Sequence, residues 1–275
     1  MQPLKKVAAI NDLSGASRCS LTVAIPVLAA LGVQCCALPT AVLSNHTGYD
    51  IFYFDDYTSR MRPYLQKWKE LRLTFDYIYT GFLGSAEQID IALEALDAFQ
   101  VGNTHVLVDP VMGDDGKLYA TYTEQMCDQM RRLVSRADVV TPNVTEACLL
   151  ADVPYTGETL TQSDVHKLAA RIAALGVPDV VITGVKCAGR VCNYVYAGGQ
   201  LQAFGSDLTP VYYSGTGDLF ASIVCGCLTQ GKDLFYAVRL ATDFIAKAAA
   251  QSQKMSIPPL DGVCFEQLLK ELICQ

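Results

Sequence analysis

The chain has 275 residues, 51% of them apolar and 18% charged, with a formal net charge of −7. That composition builds a substantial packed core and excludes a disordered chain. The acidic balance argues against nucleic acid and anionic membrane surfaces as partners, but not against a small anionic substrate held by backbone dipoles.

In chain order, Lys6–Ile10 reads as a buried strand that ends in the polar turn cluster Asn11-Asp12-Leu-Ser14-Gly15. A helix is predicted over 17–31, stopped by Gly32, then a strand over 33–38 and a polar loop over 44–48. Helical spacing over 58–71 puts Met61, Leu65, Trp68 and Leu71 on one face. Strands follow at 75–79, 105–108, 138–140 and 179–182, alternating with helices at 86–99, 123–134, 146–150 and 163–175. Gly198-Gly199 marks a hairpin between 191–196 and 200–204. Val211–Tyr213 reads as extended, and helices are predicted at 217–229, 233–251 and 263–273. Alternating strands and helices imply a mostly parallel sheet with helices on both faces, and ligands beyond the carboxyl ends of its strands. Six polar clusters fall at those ends: Asn11-Asp12, Ser44–Gly48, Thr80–Ser85, Asp109–Asp114, Thr141–Glu146 and Thr183-Gly184. Together they imply one shared site.

No apolar run approaches the ~20 residues of a membrane span. The longest, Leu21–Val33, contains Pro26, and Asn11-Asp12 interrupts what would follow a signal-like start. The 11 cysteines are scattered and mostly inside apolar stretches, which reads as reduced, buried thiols of a cytoplasmic protein. Cys187 and Cys192 lack the paired spacing of a zinc site.

Gly215-Thr216-Gly217 opens a helix with free backbone N–H groups at the positive end of its dipole, which suits a phosphate. Asp218 is either a cap for that helix or a general base toward a hydroxyl. Asn143 and Glu146, at i and i+3 across a helix start, are equally a capping pair or ligands that join Asp109 on a Mg²⁺–nucleotide complex. No phosphate-binding loop ending in Gly-Lys-Ser/Thr, no dinucleotide Gly-x-Gly-x-x-Gly after the first strand and no Gly-x-Ser-x-Gly elbow is present. Of three histidines, only His46 lies in a site loop.

Gly215-Thr-Gly-Asp218-Leu-Phe resembles the anion-hole and base motif of ribokinase-like small-molecule kinases. Leu43-Ser-Asn-His-Thr-Gly48, Thr80-Gly-Phe-Leu-Gly-Ser-Ala-Glu-Gln88, Asp109-Pro-Val-Met-Gly-Asp114 and Thr141-Pro-Asn-Val-Thr-Glu146 resemble pyridoxal kinases. The resemblance covers nearly the whole chain. It implies a single kinase domain over residues 1–275 with the three-layer α/β/α ribokinase-like fold. It also implies ATP-dependent phosphorylation of the 5′-hydroxymethyl group of pyridoxal, pyridoxamine or pyridoxine by a cytoplasmic homodimer. Mg²⁺ joins ATP as cofactor, with room for a monovalent cation such as K⁺.

On the same resemblance, Asp218 is the base, and Gly215, Thr216 and Gly217 form the anion hole. Asp109 and Glu146 serve metal and phosphates, while Asn143 and Thr183 lie on the nucleotide side. Asp12, Ser14, His46, Thr47, Gly48 and Phe82 meet the vitamer ring. Asp12 departs from the serine of many pyridoxal kinases, and Asp12-Leu-Ser-Gly15 looks more like the Asp-Pro-Ser-Gly of hydroxymethylpyrimidine kinases, which are the alternative. Phe82 replaces a frequent tyrosine, and Lys117-Leu-Tyr119 replaces a lid cysteine, so no aldehyde adduct is expected there. A non-catalytic B6-binding protein is the remaining reading. It is disfavoured because base, anion loop and metal acids are all present.

Overall fold

The structure, a computed structural model, describes residues 4–273. Its centre is a nine-stranded sheet. The strands are β1 (Lys6–Ala16), β2 (Gln34–Asn45), β3 (Phe54–Asp56), β4 (Tyr77–Thr80), β5 (His105–Val108), β8 (Val139–Val140), β9 (Asp179–Cys187), β10 (Arg190–Ala197) and β11 (Gln200–Asp207). A small ribbon of β6 (Gly113–Asp114) and β7 (Lys117–Leu118) stands apart. The sheet order is β11-β10-β9-β8-β5-β4-β1-β2-β3, and the run from β9 to β2 is parallel.

Both sheet faces are apolar, so the strands read as near-continuous hydrophobic runs. Ala8, Ile10, Ile78, Val106 and Val108 point into one core. Their neighbours Val7, Ala9, Tyr77, Tyr79 and Leu107 point into the other. The first core is covered by α2 (Thr58–Glu70), α3 (Ala86–Phe99), α4 (Glu124–Val134), α5 (Val144–Ala151) and α6 (Gln162–Ala173). The second lies under α1 (Ser20–Ala30), α7 (Thr216–Thr229) and α8 (Leu234–Lys254). This is the three-layer α/β/α arrangement expected from the alternating pattern. Among the described residues no helix is long and apolar enough to cross a membrane.

From β1 the chain steps outward to β2, then returns to the other side of β1 with β4. This reversal point sits beside the ends of β1 and β4, where a doubly wound sheet binds its ligands. The turn expected at 11–15 is instead strand. After an irregularity between Asn11 and Leu13, β1 continues to Ala16, paired only with β2. That pairing supplies the ladder partners a turn would have forgone. Asp12 is left at the break, where the sheet ends and a flap of β1, β2 and β3 begins.

Other differences have local causes. Leu71 is 69% exposed because α2 has ended, while Met61, Leu65 and Trp68 are buried. Val211–Tyr213 is bend and coil. The helix expected over 263–273 reduces to a 3₁₀ turn at Glu266–Leu268 and a short α9 (Lys270–Ile273), because Val263, Cys264 and Phe265 are spent on core contacts. The small strands β3, β6 and β7 were not anticipated.

Gln88, in the first turn of α3, is fully buried. Its amide donates to the Thr40 carbonyl and the Thr58 hydroxyl, both at 2.8 Å, and accepts from Gly84 N–H at 2.8 Å. It therefore ties the loop after β4 to β2 and α2. Gln88→Leu orphans those partners and is expected to cost ~1–3 kcal/mol of stability, read as a lowered urea midpoint at unchanged slope.

Candidate active site

Gly215 is the N-cap of α7, with φ of 73° and no side-chain cap. A Cβ there would meet the Arg18 carbonyl oxygen at 1.9 Å, so only glycine allows the loop to approach the start of α1. The first intrahelical bond is donated by Leu219 N–H to the Gly215 carbonyl. Among the described residues, the N–H groups of Thr216, Gly217 and Asp218 have no protein acceptor. Gly217 is exposed, with open space on its side-chain side. The result is an open, dipole-polarised anion cradle.

Asp218 does not cap this helix. Its Oδ1 accepts from the Asn11 amide at 3.2 Å, and its carboxylate also accepts from Ser20 N–H. Asn11 is fully buried, and its own Oδ1 accepts from Phe82 N–H at 2.8 Å and Asp12 N–H at 2.9 Å. One amide thus holds the base candidate against the ends of β1 and β4. Burial, reinforced by the charge of Asp12, pushes the Asp218 carboxyl up to about 6, against the opposing hydrogen bonds from Ser20 and Asn11.

On one side of Asp218 lies Asp12, 5% exposed, which accepts from the Ser14 hydroxyl at 2.8 Å and from the Ser20 hydroxyl. Burial raises its carboxyl, against the opposing hydrogen bonds from the Ser20 and Ser14 hydroxyls. His46 Nδ1 accepts from Gly48 N–H at 3.1 Å, so the network assigns the ring proton to Nε2, which donates to the Leu260 carbonyl at 2.7 Å. Thr47 and Gly48 are exposed on the flap, and Phe82 is half-buried beside Gly84. Among the described residues, neither Thr47 nor Gly48 is hydrogen-bonded to Asp218.

On the other side, Asp109 accepts from the Thr141 hydroxyl at 3.0 Å. Glu146 accepts from Met112 N–H at 3.1 Å and from Asn143 N–H at 2.8 Å. Asn143 accepts in return from Glu146 N–H at 2.9 Å, completing a capping box on α5, and its amide donates to the Gly113 carbonyl at 2.8 Å. Thr183 pairs with this segment, its N–H donating to the Pro142 carbonyl at 2.9 Å. Burial raises both the Asp109 and Glu146 carboxyls. The charge of Asp218 adds to the rise at Asp109, and the charge of Asp109 adds to that at Glu146. No lysine or arginine among the described residues is hydrogen-bonded or ion-paired to any of these acids. No three metal-binding side chains converge among the described residues. The donor set still fits a divalent cation: two desolvated carboxylates lack a counter-charge, and phosphate oxygens and water would complete the shell.

The structure therefore brings Asp12, Ser14 and Asp218 together on one side and Asp109, Asn143, Glu146 and Thr183 on the other. Asn11 and Ser20 were missed as site residues. Ser20 lies inside an ordinary helical pattern, and nothing local in the sequence signals its φ of 52°. Asn11 was visible only as a member of a polar cluster.

A family model described as phosphomethylpyrimidine kinase matches residues 27–258. A provisionally named pyridoxine kinase of Staphylococcus epidermidis is 33% identical over 202 residues, spanning 70% of each chain. A provisionally named phosphomethylpyrimidine kinase of Bacteroides thetaiotaomicron superposes with a TM-score of 0.96 at 39% identity, covering 98% of this chain and 94% of that one. Its crystal form with pyridoxal superposes with a TM-score of 0.91 at 38% identity, covering 98% and 96%.

The raised Asp218 carboxyl carries a stability consequence of definite sign. Its folded value, about 6, exceeds the ordinary 3.8, so its favourable contribution is complete below 3.8 and is lost as pH rises through 6. Asp218→Asn is therefore expected to match the parent in stability near pH 4. Above pH 6 it should exceed the parent by on the order of 2 kcal/mol, measured as midpoints of denaturation across pH.

Proposed function

The chain belongs to the phosphomethylpyrimidine kinase family, in the pyridoxal kinase group of the ribokinase-like superfamily, and from that membership we propose that it phosphorylates the 5′-hydroxymethyl group of a B6 vitamer with ATP. The observation that carries this reading is Asp218, held by Asn11 and Ser20 at the mouth of a cradle of unpaired backbone N–H groups.

Asp218 accepts the proton of the attacking hydroxyl. A carboxyl near 6 is largely ionised at neutral pH yet basic enough to take part. The N–H groups of Thr216, Gly217 and Asp218 donate to the phosphoryl oxygens as charge builds on them. Asp109 and Glu146 would hold Mg²⁺, which when bound neutralises phosphate charge. Asn143 and Thr183 line the nucleotide side, and Asp12 with Ser14 faces the polar edge of the vitamer ring, with His46, Thr47, Gly48 and Phe82 around it. We read residues 1–275 as one such kinase domain, acting in the cytoplasm. A homodimer is supported by the exposed Ile51-Phe52-Tyr53 stretch beside the edge strand β3.

Hydroxymethylpyrimidine is the second substrate to test, because the buried Asp12 sits in Asp12-Leu-Ser-Gly15. Steady-state kcat/KM for pyridoxal, pyridoxamine, pyridoxine and hydroxymethylpyrimidine is expected to rank a B6 vitamer first; a higher value for the pyrimidine would replace this assignment. Asp218→Asn is expected to lower turnover by roughly 10²–10⁴-fold while vitamer binding survives, measured by single-turnover phosphorylation and by titration of vitamer fluorescence. Retained turnover would remove Asp218 from the base role.

A further inference from the structure

Away from the site, all ten described cysteines carry free thiols, and two of them meet. Cys187 closes β9 and Cys192 lies in β10, with their Sγ atoms 2.7 Å apart. The register sets Cys187 opposite Arg190 and Cys192 opposite Val185, so the pair is diagonal on one face of the hairpin. In a flat ladder, diagonal Cα atoms lie ~7–8 Å apart, beyond the reach of most disulfides. Two features draw this pair in. The register slips between Cys192 and Tyr194, leaving Thr183 and Gly184 opposite Asn193, and such a bulge sharpens the local twist. The two-residue turn Ala188-Gly189 has φ of 46° and 78°, the left-handed pair that matches a strongly twisted hairpin.

The two thiols are unequal. Cys187 is half-buried and reachable from solvent, whereas Cys192 is 6% exposed beneath the neighbouring strand. Gly205 makes room for it, since a Cβ there would stand 2.9 Å from its sulfur. Arg190 lies over the same spot, with its guanidinium donating to the Gly205 carbonyl at 2.6 Å.

We propose that Cys187 and Cys192 form a redox modification site, a dithiol that a peroxide converts to a disulfide within the hairpin and that a small-molecule thiol restores. Cys187 sulfur attacks one peroxide oxygen, the O–O bond breaks, and Cys187 becomes a sulfenic acid with release of one water. Cys192 sulfur then attacks the Cys187 sulfur, the S–O bond breaks, and a second water leaves with the Cys192 proton. The two thiols are oxidised by two electrons and the peroxide is reduced by two. This inference does not depend on the kinase reading.

The test is hydrogen peroxide treatment of the whole protein, alkylation of the remaining thiols, tryptic digestion without reductant and mass mapping. Trypsin cuts after Arg190, between the two cysteines, so the disulfide appears as two tethered peptides. The expected result is that tethered pair, formed before oxidation of the half-buried Cys35 and Cys36 and released by dithiothreitol. In Cys192→Ser, Cys187 is expected to stop as a sulfenic acid that a dimedone probe traps. Recovery of Cys187 and Cys192 as separately alkylated thiols while other cysteines have oxidised would overturn the proposal. So would an untrapped, unoxidised Cys187 in Cys192→Ser. Cys187→Ser is expected to leave vitamer phosphorylation unchanged and to abolish the tethered pair.

Discussion

The desolvation of acids at one end of the sheet is the constraint around which the site is arranged. Asp12, Asp109 and Glu146 are almost wholly buried, and Asp218 stands between them in charge-to-charge reach of Asp12 and Asp109. Among the described residues no basic side chain is paired with any of the four, so the cost of burying them falls on neutral donors: the Asn11 amide, the hydroxyls of Ser14, Ser20 and Thr141, and the backbone N–H groups of Ser20, Met112 and Asn143. Neutral donors hold an anion in place without cancelling its charge. They leave a local excess of negative potential that a cation and a transferring proton can each relieve.

Such an arrangement needs a rigid frame, and the frame is distributed over distant parts of the chain. Segment 258–262 is its hub. The Pro259 carbonyl accepts from Ser214 N–H just before the anion loop, and the Asp261 carbonyl accepts from Arg18 N–H at the start of α1. His46 donates to the Leu260 carbonyl, and the Tyr49 hydroxyl donates to the Asp261 carboxylate at 2.6 Å, so the flap is fastened to the same strap. Gly262 repeats the logic of Gly215, because a Cβ there would lie 2.7 Å from the same Arg18 carbonyl oxygen. Loop, flap and first helix therefore share one set of hydrogen bonds.

Most of the fold was legible in the sequence because it rests on short-range signals. The buried runs at 105–108 and 179–182 and the capped segment at 86–99 are each decided within a dozen residues. What was not legible rests on partners far away in the chain. Strand β1 continues through a polar, turn-like stretch only because β2 lies alongside it. The 263–273 segment gives up helix because its apolar residues reach into the second core. The same division holds in the site. Acids, glycines and the shared strand-end location were visible, but the links from Asn11 and Ser20 to Asp218 span about 200 residues of sequence, and no local pattern encodes them.

The two acids that could have capped their helices, Asp218 and Glu146, differ in what they do there. At α7 the cap is a glycine without a side chain, and the acid in the first turn points away to Asn11 and Ser20, so its charge is not spent on the helix. At α5 the capping box is complete, and Glu146 also holds Met112 N–H from the Asp109–Asp114 loop. A carboxylate has about four lone-pair sites, and the two backbone donors use one on each oxygen. The cap therefore fixes where the remaining lone pairs point, and it locks the loop that carries Asp109 relative to them. Capping fixes the orientation of Glu146, whereas the uncapped Asp218 is left to Asn11 and Ser20, and burial with the charge of Asp12 sets its raised carboxyl.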